Sequence, residues 1–436
     1  MDRRNFLKTS LVSAGALAVG GVEACSNAAE TKVAGPVPGQ KWTGWKKGHF
    51  QIHFIYTGVG ESAFYIFPDG TTMLLDCGDH NAIGRGKLAV PVLPHAAKHA
   101  GEWVARYVER VNPQGKDVDY MMISHYHSDH AGSDGFFASE EMWEGEPYRF
   151  SGFSHAAQTL NFGKAFDRCY PAMGDPLPLP DDFDTATPAQ IRKFYRRMEK
   201  ERGMKVEKFE VGAVDQLKMI HDAASFPKFS IRNICGNGRI SGPDGKVRDL
   251  YKEYIEREHP DFINENAMSL GFVASYGPFR FFTAGDFSDA LKLADGSRVE
   301  IEDLLGEVSE PVDVAKINHH GYHSMYPGLV KALRPQVYVS CVWDQLHDLP
   351  DTLGRIDDRS SYEGERVLYA GIYPPERRAE DDGQVWQRVI DPSGYEGSHI
   401  VLDVEPSGKK FSITTIAACD ESMTVRTHKV FDTMDK

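Results

Sequence analysis

Residues 124–132 hold the densest group of potential metal ligands in the chain. The segment reads Ser-His-Tyr-His-Ser-Asp-His-Ala-Gly, and four of its side chains are candidate ligands: His125, His127, Asp129 and His130. Imidazole and carboxylate together suit zinc, manganese or iron. The apolar run just before it, residues 118–123, is typical of a buried strand. Because side chains alternate along extended backbone, the first two histidines point the same way, and the Asp-His pair reaches a second point after a turn. The segment therefore predicts two adjacent metal positions.

Two later strand ends supply further candidate ligands. Asp286 follows an apolar hairpin predicted over residues 269–283, and His319 and His320 follow an apolar strand over residues 312–317. Strand ends that converge on one edge of a sheet are where such sites form. Asp286 is placed to bridge two metals, and one of the two histidines is placed to supply the last ligand. Since adjacent residues of a strand point to opposite faces, only one of the pair coordinates. We predict that this is His319, and that His320 orients its neighbour or bonds to the substrate.

The pattern in residues 124–132 resembles the His-x-His-x-Asp-His signature of the metallo-β-lactamase superfamily. Residues 50–416 as a whole are similar to one branch of that superfamily, the hydrolase domain attached to bacterial DNA-uptake competence channels. Five segments carry the resemblance: residues 58–62, 75–78, 124–132, 269–286 and 316–321. The resemblance implies an α/β fold, a four-layer αββα sandwich, with a site for two metal ions at the sheet edges. It also implies that the carboxylate of Asp76 supports the metal-binding loop from behind.

The chain departs from the superfamily pattern in one strand that concerns the site. Many members carry a metal-binding histidine on the strand that here covers residues 231–235, and this chain has none there. One ion is then left with water and three side chains: His125, His127 and Asp286. His155 or His221 is an alternative source of a ligand, although each is more typical of a core or surface histidine.

The resemblance implies metal-assisted hydrolysis. A hydroxide held between two divalent ions, zinc by preference and manganese or iron as alternatives, attacks a phosphorus or a carbonyl carbon. Asp129 is then a ligand that also orients the nucleophile, and His347 protonates or binds the leaving group. The branch favours a small-molecule phosphoester or phosphodiester as substrate. A lactonase or β-lactamase is one alternative, and a non-catalytic metal-binding lipoprotein is another.

The N-terminus predicts export. Residues 3–8 read Arg-Arg-Asn-Phe-Leu-Lys, which resembles a bacterial twin-arginine signal, and the apolar run that follows is too short to span a membrane comfortably. A small residue before Cys25 resembles a lipoprotein processing site, with cleavage by an ordinary signal peptidase nearby as the alternative. We predict a signal peptide over residues 1–24, a flexible tether over residues 25–41, and a periplasmic protein that Cys25 anchors to the membrane through a lipid.

Residues 42–436 then form the hydrolase domain. Within it, residues 136–265 are predicted to be a large insertion, mostly helix and loop, that covers the site. The chain has 436 residues, of which 41% are hydrophobic, so it can bury a large core. Its formal net charge of −14 disfavours nucleic acid and anionic membrane as partners, because phosphate binding depends mainly on Lys and Arg.

Overall fold

The alternating apolar runs of the sequence become strands that assemble into two large sheets. The computed structural model describes a set of ranges separated by gaps: residues 35–79, 92–132, 149–172, 174–176, 186–255, 264–293, 295–344, 347–372, 384–393 and 397–436. The predicted signal peptide, Cys25 and most of the predicted tether lie outside the described residues. Residues 36–436 belong to one compact unit.

The described strands are β1 (Phe50–Phe54), β2 (Ala63–Ile66), β3 (Thr72–Leu75), β4 (Asp117–Met122), β5 (Asn161–Asp167), β6 (Lys205–Lys208), β7 (Phe229–Gly236), β8 (Arg239–Ser241), β9 (Val247–Asp249), β10 (Gly271–Tyr276), β11 (Phe279–Thr283), β12 (Ala290–Lys292), β13 (Arg298–Glu300), β14 (Val314–Lys316), β15 (Val337–Ser340), β16 (Val367–Ala370), β17 (Ser398–Val404), β18 (Lys410–Ala417) and β19 (Val425–Asp432). The described α-helices are α1 (Ala100–Val111), α2 (Ser128–Ala131), α3 (Phe153–Ala156), α4 (Ala186–Arg202), α5 (Ile301–Glu307), α6 (Pro327–Leu333), α7 (Pro350–Asp357) and α8 (Gln384–Val389). Short 3-10 turns cover Ala223–Ser225, Glu265–Met268 and Asn318–Gly321, and a π-helical turn covers Tyr251–Ile255.

The two sheets pack face to face and carry helices on their outer faces. The first sheet has the strand order β19-β18-β17-β1-β2-β3-β4-β5-β6, and the second has the order β16-β15-β14-β11-β10-β7-β8-β9. A central apolar core joins their inner faces, for example where the rings of Tyr65 and Phe272 lie 5.7 Å apart. A second core joins the outer face of the first sheet to α1, α3 and α4, and a third joins the second sheet to α5, α6, α7 and α8. The predicted four-layer αββα sandwich is thus confirmed.

The parallel strands decide where the loops meet. In the first sheet β3 and β4 run parallel, and in the second sheet β11, β14 and β15 run parallel. Parallel neighbours end at the same edge of a sheet, so the loops that follow them collect there. A backbone hydrogen bond from the Leu270 N–H to the Ser124 carbonyl (2.9 Å) links the two sheets at this edge. The loops after five strands therefore surround one location.

The stretch predicted as an insertion, residues 136–265, also supplies strands to both sheets in its described part. β5 and β6 extend the first sheet in parallel, and β7 pairs antiparallel with β10 in the second. β7 alternates buried and exposed positions at its start and is fully buried from Asn233 onwards, as is typical of an inner strand. Across the described ranges, the structure has no helix long and apolar enough to cross a membrane.

Candidate metal centre

The His-rich segment turns beneath the loop that follows β3. The carboxylate of Asp76 accepts hydrogen bonds from the backbone N–H and from the hydroxyl of Ser124, both at 2.7 Å. The short helix α2 then returns the chain, so that the ring of His130 lies 4.2 Å from the ring of His125. Asp76 and both histidines are fully buried, so the surrounding protein holds them in place.

His130 and His320 present bare ring nitrogens to each other. The Nδ1 atom of His130 lies 2.8 Å from Asp76 Oδ2, and the Nδ1 atom of His320 lies 2.9 Å from the carbonyl oxygen of Cys341. Because both partners are acceptors, each Nδ1 carries the hydrogen, and in the neutral ring each Nε2 is a lone pair. These two Nε2 atoms are 3.1 Å apart.

Two carboxylates approach the same pair of nitrogens. Asp286 Oδ2 lies 3.1 Å from His130 Nε2 and 3.4 Å from His320 Nε2. Asp129 Oδ2 lies 3.2 Å from His320 Nε2 and 3.8 Å from His130 Nε2. Burial lowers the pKa of His320, but the Asp286 and Asp129 carboxylates together outweigh that effect and the pKa rises to about 9. In the same way, the pKa of His130 rises well above its usual value. The four side chains thus stabilise a positive charge between them.

His125 and His127 form a second pair of imidazoles next to this group. His125 Nε2 lies 3.1 Å from His127 Nδ1 and 3.9 Å from Asp286 Oδ2. Burial and the nearby positive charge of His130 hold the pKa of His125 well below its usual value, so this ring is neutral. Asp286 Oδ2 therefore lies near three imidazoles, those of His130, His320 and His125, and His127 adjoins the last of them.

Sequence reasoning did not single out Glu61 or Lys316. The two side chains are fully buried, and Glu61 Oε2 lies 2.7 Å from Lys316 Nζ and 3.6 Å from His320 Nδ1. Lys316 Nζ also donates to the Gly285 carbonyl at 2.9 Å and lies 3.7 Å from Asp286 Oδ1. Burial lowers the pKa of Lys316, but Glu61 and Asp286 raise it above its usual value, so it stays charged. Lys316 stands in the apolar strand β14, which was the available signal, whereas Glu61 lies in the Gly-rich loop between β1 and β2.

Two glycines allow the loops to approach one another. The Glu61 N–H donates to the Asp129 carbonyl at 2.8 Å, and the Gly78 N–H donates to the Glu61 carbonyl at 2.9 Å. A Cβ atom on Gly78 would lie 1.8 Å from the Asp129 carbonyl oxygen, and one on Gly60 would lie 2.6 Å from it. Only glycine fits at these positions, which explains why the Gly-rich loop and the Asp-Cys-Gly turn accompany the His-rich segment.

The structure places His320, and not His319, beside the other candidate ligands. His319 Nε2 lies 3.2 Å from Asn266 Nδ2, and its Nδ1 lies 3.0 Å from Ser288 Oγ, outside the group that Glu61, His130, Asp286 and His320 form. The choice of His319 rested on strand alternation, but β14 already ends at Lys316. Both histidines instead have positive φ angles, 47° and 50°, in a 3-10 turn, so the alternation of a strand does not apply to them. This geometry moves our assignment of the ligand to His320.

His347 lies against the centre without entering the ligand group. Its ring stacks on that of His320, with centroids 4.6 Å apart and planes at 16°. Its Nδ1 accepts the backbone N–H groups of Trp343 and Asp344, both at 3.2 Å, so the ring hydrogen is on Nε2. His347 is thereby a hydrogen-bond donor next to the candidate ligands.

A buried ion pair anchors the His-rich segment from its other side. Arg168 donates two hydrogen bonds of 2.8 Å to the carboxylate of Glu265, and Glu265 Oε1 accepts the Tyr126 N–H at 2.9 Å. The guanidinium of Arg168 also lies over the Tyr126 ring, 4.5 Å from its centroid. This bidentate pair fixes the backbone between His125 and His127.

The two alternative histidines lie elsewhere. His221 Nε2 lies 3.0 Å from Asp119 Oδ2, and its side chain is 41% exposed. His155 is buried beside Asp79 and His99, in a group separate from the one that contains Asp286. Neither takes the position of the histidine that is missing from β7.

One family model matches the part of the chain that contains the His-rich segment. Residues 56–160, less than half of the chain, match the family model of the metallo-beta-lactamase superfamily. Among curated proteins there is no match. A crystal structure from Parabacteroides distasonis ATCC 8503 carries the name of a metal-dependent hydrolase. It is 12% identical to this chain, covers 74% of this chain and 92% of its own, and superimposes with a TM-score of 0.32. Neither comparison identifies the competence-channel branch, which stays a prediction.

Proposed function

We propose that this protein is a hydrolase that depends on two divalent metal ions. The observation that carries the proposal is the convergence of the His130 and His320 lone pairs on the Asp286 carboxylate. Two imidazole Nε2 atoms at 3.1 Å repel each other unless a proton or a metal cation lies between them, and the buried carboxylates beside them favour such a positive charge. A buried Asp286 Oδ1 atom that has no hydrogen-bond partner points to the same conclusion.

The donor set fits borderline-soft divalent metals. One ion would be held by four side chains: Asp129, His130, Asp286 and His320. The other would be held by three: His125, His127 and Asp286. Imidazole nitrogens with carboxylate oxygens suit zinc best, and manganese or iron less well. When bound, such ions supply Lewis-acid polarisation of a substrate oxygen and an activated nucleophile at neutral pH.

The residues around the ligands have roles that follow from their positions. Asp129 is the more exposed of the two ligand carboxylates, with 15% of its side chain accessible against 2% for Asp286. It is therefore placed to accept a hydrogen bond from an incoming nucleophile. His347, a donor through Nε2, is placed to bind the leaving group. Asp76 and the Cys341 carbonyl keep the hydrogens of the ligand imidazoles on Nδ1.

For the substrate we favour a small-molecule phosphoester or phosphodiester, on the strength of the five sequence segments that resemble the competence-channel branch. The test loads the purified full chain with zinc and compares bis-p-nitrophenyl phosphate with nitrocefin. Hydrolysis of the phosphodiester that is lost in Asp286→Ala supports the proposal. Hydrolysis of nitrocefin alone would make the protein a β-lactamase. Stoichiometric zinc with turnover of neither compound, nor of a lactone, would make it a metal-binding protein without this activity.

We also propose that the protein is exported to the periplasm and held at the membrane by a lipid on Cys25, with no nucleic acid as partner. The paired arginines and the small residue before Cys25 support this. Replacement of Arg3 and Arg4 by lysine should block export. Unchanged export of that variant, or degradation of single-stranded DNA by the purified protein, would contradict the respective part of the proposal.

A further inference from the structure

A second group of metal-binding side chains lies apart from the centre described above. Asp79, His99 and His155 each offer one ligand atom, and these atoms all lie within 4.8 Å of one another. Asp79 follows β3, His99 begins α1, and His155 lies in α3. Three elements that are distant in sequence therefore contribute one side chain each.

Burial makes this group unusual. Asp79 and His155 are each 2% exposed. The carboxylate of Asp79 accepts the Gly152 N–H at 3.2 Å and the Ser151 hydroxyl at 3.5 Å, but it has no lysine or arginine partner in the described part of the chain. A buried carboxylate without a cation is costly, because few polar groups replace the water that it has lost.

The two imidazoles are arranged as ligands are. His155 Nδ1 lies 3.4 Å from Asp79 Oδ2, and it is a buried atom without any hydrogen-bond partner. Two ligands of a tetrahedral zinc ion, at bonds of about 2.0–2.2 Å, lie roughly 3.3–3.5 Å from each other. The rings of His99 and His155 stack with centroids 4.6 Å apart and planes at 16°, and one nitrogen of each lies within 4.8 Å of the other and of an Asp79 oxygen.

We propose that Asp79, His99 and His155 bind a third divalent cation, chemically suited to zinc, that holds the β3 loop in place. The Asp79 N–H donates to the Ser128 carbonyl at 3.1 Å, and Asp76 in the same loop bonds to His130. A cation at this position would join α1 and α3 to the loop that supports the His-rich segment. With three protein ligands, one coordination position is left for water. This site has no part in the hydrolysis proposed above, and its existence does not depend on that activity.

The test counts metal ions. The purified full chain is stripped of metal with a chelator and dialysed against zinc. Inductively coupled plasma mass spectrometry then gives the zinc content per chain, and circular dichroism shows whether each variant is folded. His99→Gln and His155→Gln should each bind one zinc ion fewer than the wild type. His221→Gln, a substitution of a histidine that lies outside both groups, should bind as many as the wild type.

His99 is only partly buried, so His99→Gln decides the matter if His155→Gln fails to fold. A second measurement uses Asp286→Ala, in which the first centre is impaired. Zinc should still raise the Tm of this variant, and the addition of His99→Gln should abolish that rise. If both single variants bind as much zinc as the wild type, or if zinc raises the Tm of the double variant as before, the three residues form only a buried polar cluster and the proposal is wrong.

Discussion

The Nε2 atoms of His130 and His320 lie 3.1 Å apart, although 190 positions separate the two residues in the chain. Each ring is held from behind by an acceptor on its Nδ1, so neither can rotate without losing a buried hydrogen bond. The two fixed nitrogens therefore favour a positive charge at one defined point between them.

His320→Ala and His319→Ala should differ in metal binding. Loss of His320 removes a donor atom from the first ion. Removal of a residue that only hydrogen-bonds to a ligand lowers metal affinity about 10–100-fold, so the zinc affinity of His320→Ala should fall by more than that. His319→Ala should retain zinc, because His319 contacts Asn266 and Ser288 instead. Competition with a chromogenic chelator measures both affinities. If His319→Ala loses the metal and His320→Ala keeps it, the ligand assignment is reversed.

Gly78→Ala should displace the loop that carries Asp129. The new methyl group would lie 1.8 Å from the Asp129 carbonyl oxygen. That oxygen belongs to the backbone and accepts the Glu61 N–H, so it cannot move aside without breaking this hydrogen bond. We expect a loss of about 1–3 kcal/mol or more in the free energy of unfolding, as overpacking of a dense interior causes. The urea midpoint measures it.

Gly354→Ala is the matched control for this prediction. It lies in α7 with nothing within 4 Å of the added carbon, so it should be neutral or should stabilise the helix. An unchanged urea midpoint for Gly78→Ala would show that the loops can separate without cost.

Glu61→Gln should destabilise the protein through Lys316. The ammonium group of Lys316 is buried, and removal of the Glu61 charge leaves it with one carbonyl and the more distant Asp286. Breaking such a buried pair from one side costs about 3–5 kcal/mol. The double variant Glu61→Gln/Lys316→Met should recover part of that loss, because it removes both charges. Urea unfolding of the single and double variants gives the coupling.

The control for this pair is Glu207→Gln. Glu207 pairs with Lys164 at 2.8 Å, but its side chain is 44% exposed, so solvent screens the interaction and little change is expected. A loss in Glu61→Gln no larger than that in the control would contradict the buried-pair interpretation.

The stability of the protein should fall as the pH drops from 6.5 towards 3. Burial lowers the pKa of His53 to about 3 and that of His399 to about 3, so both rings are neutral in the folded protein. In the unfolded chain they take up protons near pH 6.5, so acid favours unfolding. Each contributes a slope of about 1.4 kcal/mol per pH unit within this window, and the contribution is fully present above pH 6.5.

His399→Asn tests this pH dependence. Asparagine keeps an acceptor near the Tyr56 N–H, which His399 Nδ1 now accepts at 3.0 Å, but it does not titrate. The variant should show a smaller loss of unfolding free energy between pH 7 and pH 5 than the wild type, measured by urea unfolding. Equal slopes for His399→Asn and the wild type would show that His399 does not remain neutral in the fold.

The local pattern of the sequence was sufficient for most elements of the sandwich. The apolar run over residues 118–123 corresponds to β4 (Asp117–Met122), and the hairpin predicted over residues 269–283 corresponds to β10 and β11. These strands are predictable because a period of two with one or two buried faces is a property of neighbouring residues. The strands β5 and β6 were less evident, because they lie at one end of the first sheet, where exposed positions interrupt the apolar pattern.

The sequence by itself determined the chemistry of the centre: a compact His-x-His-x-Asp-His segment and an aspartate that closes a hairpin. Only the tertiary structure decided which of His319 and His320 faces Asp286, because a 3-10 turn with positive φ angles replaces the strand geometry there. It also brought Glu61 to Lys316, and Asp79 to His99 and His155. The physical reason is that strand order and loop packing govern contacts between distant segments. The spacing of residues along the chain does not predict these contacts.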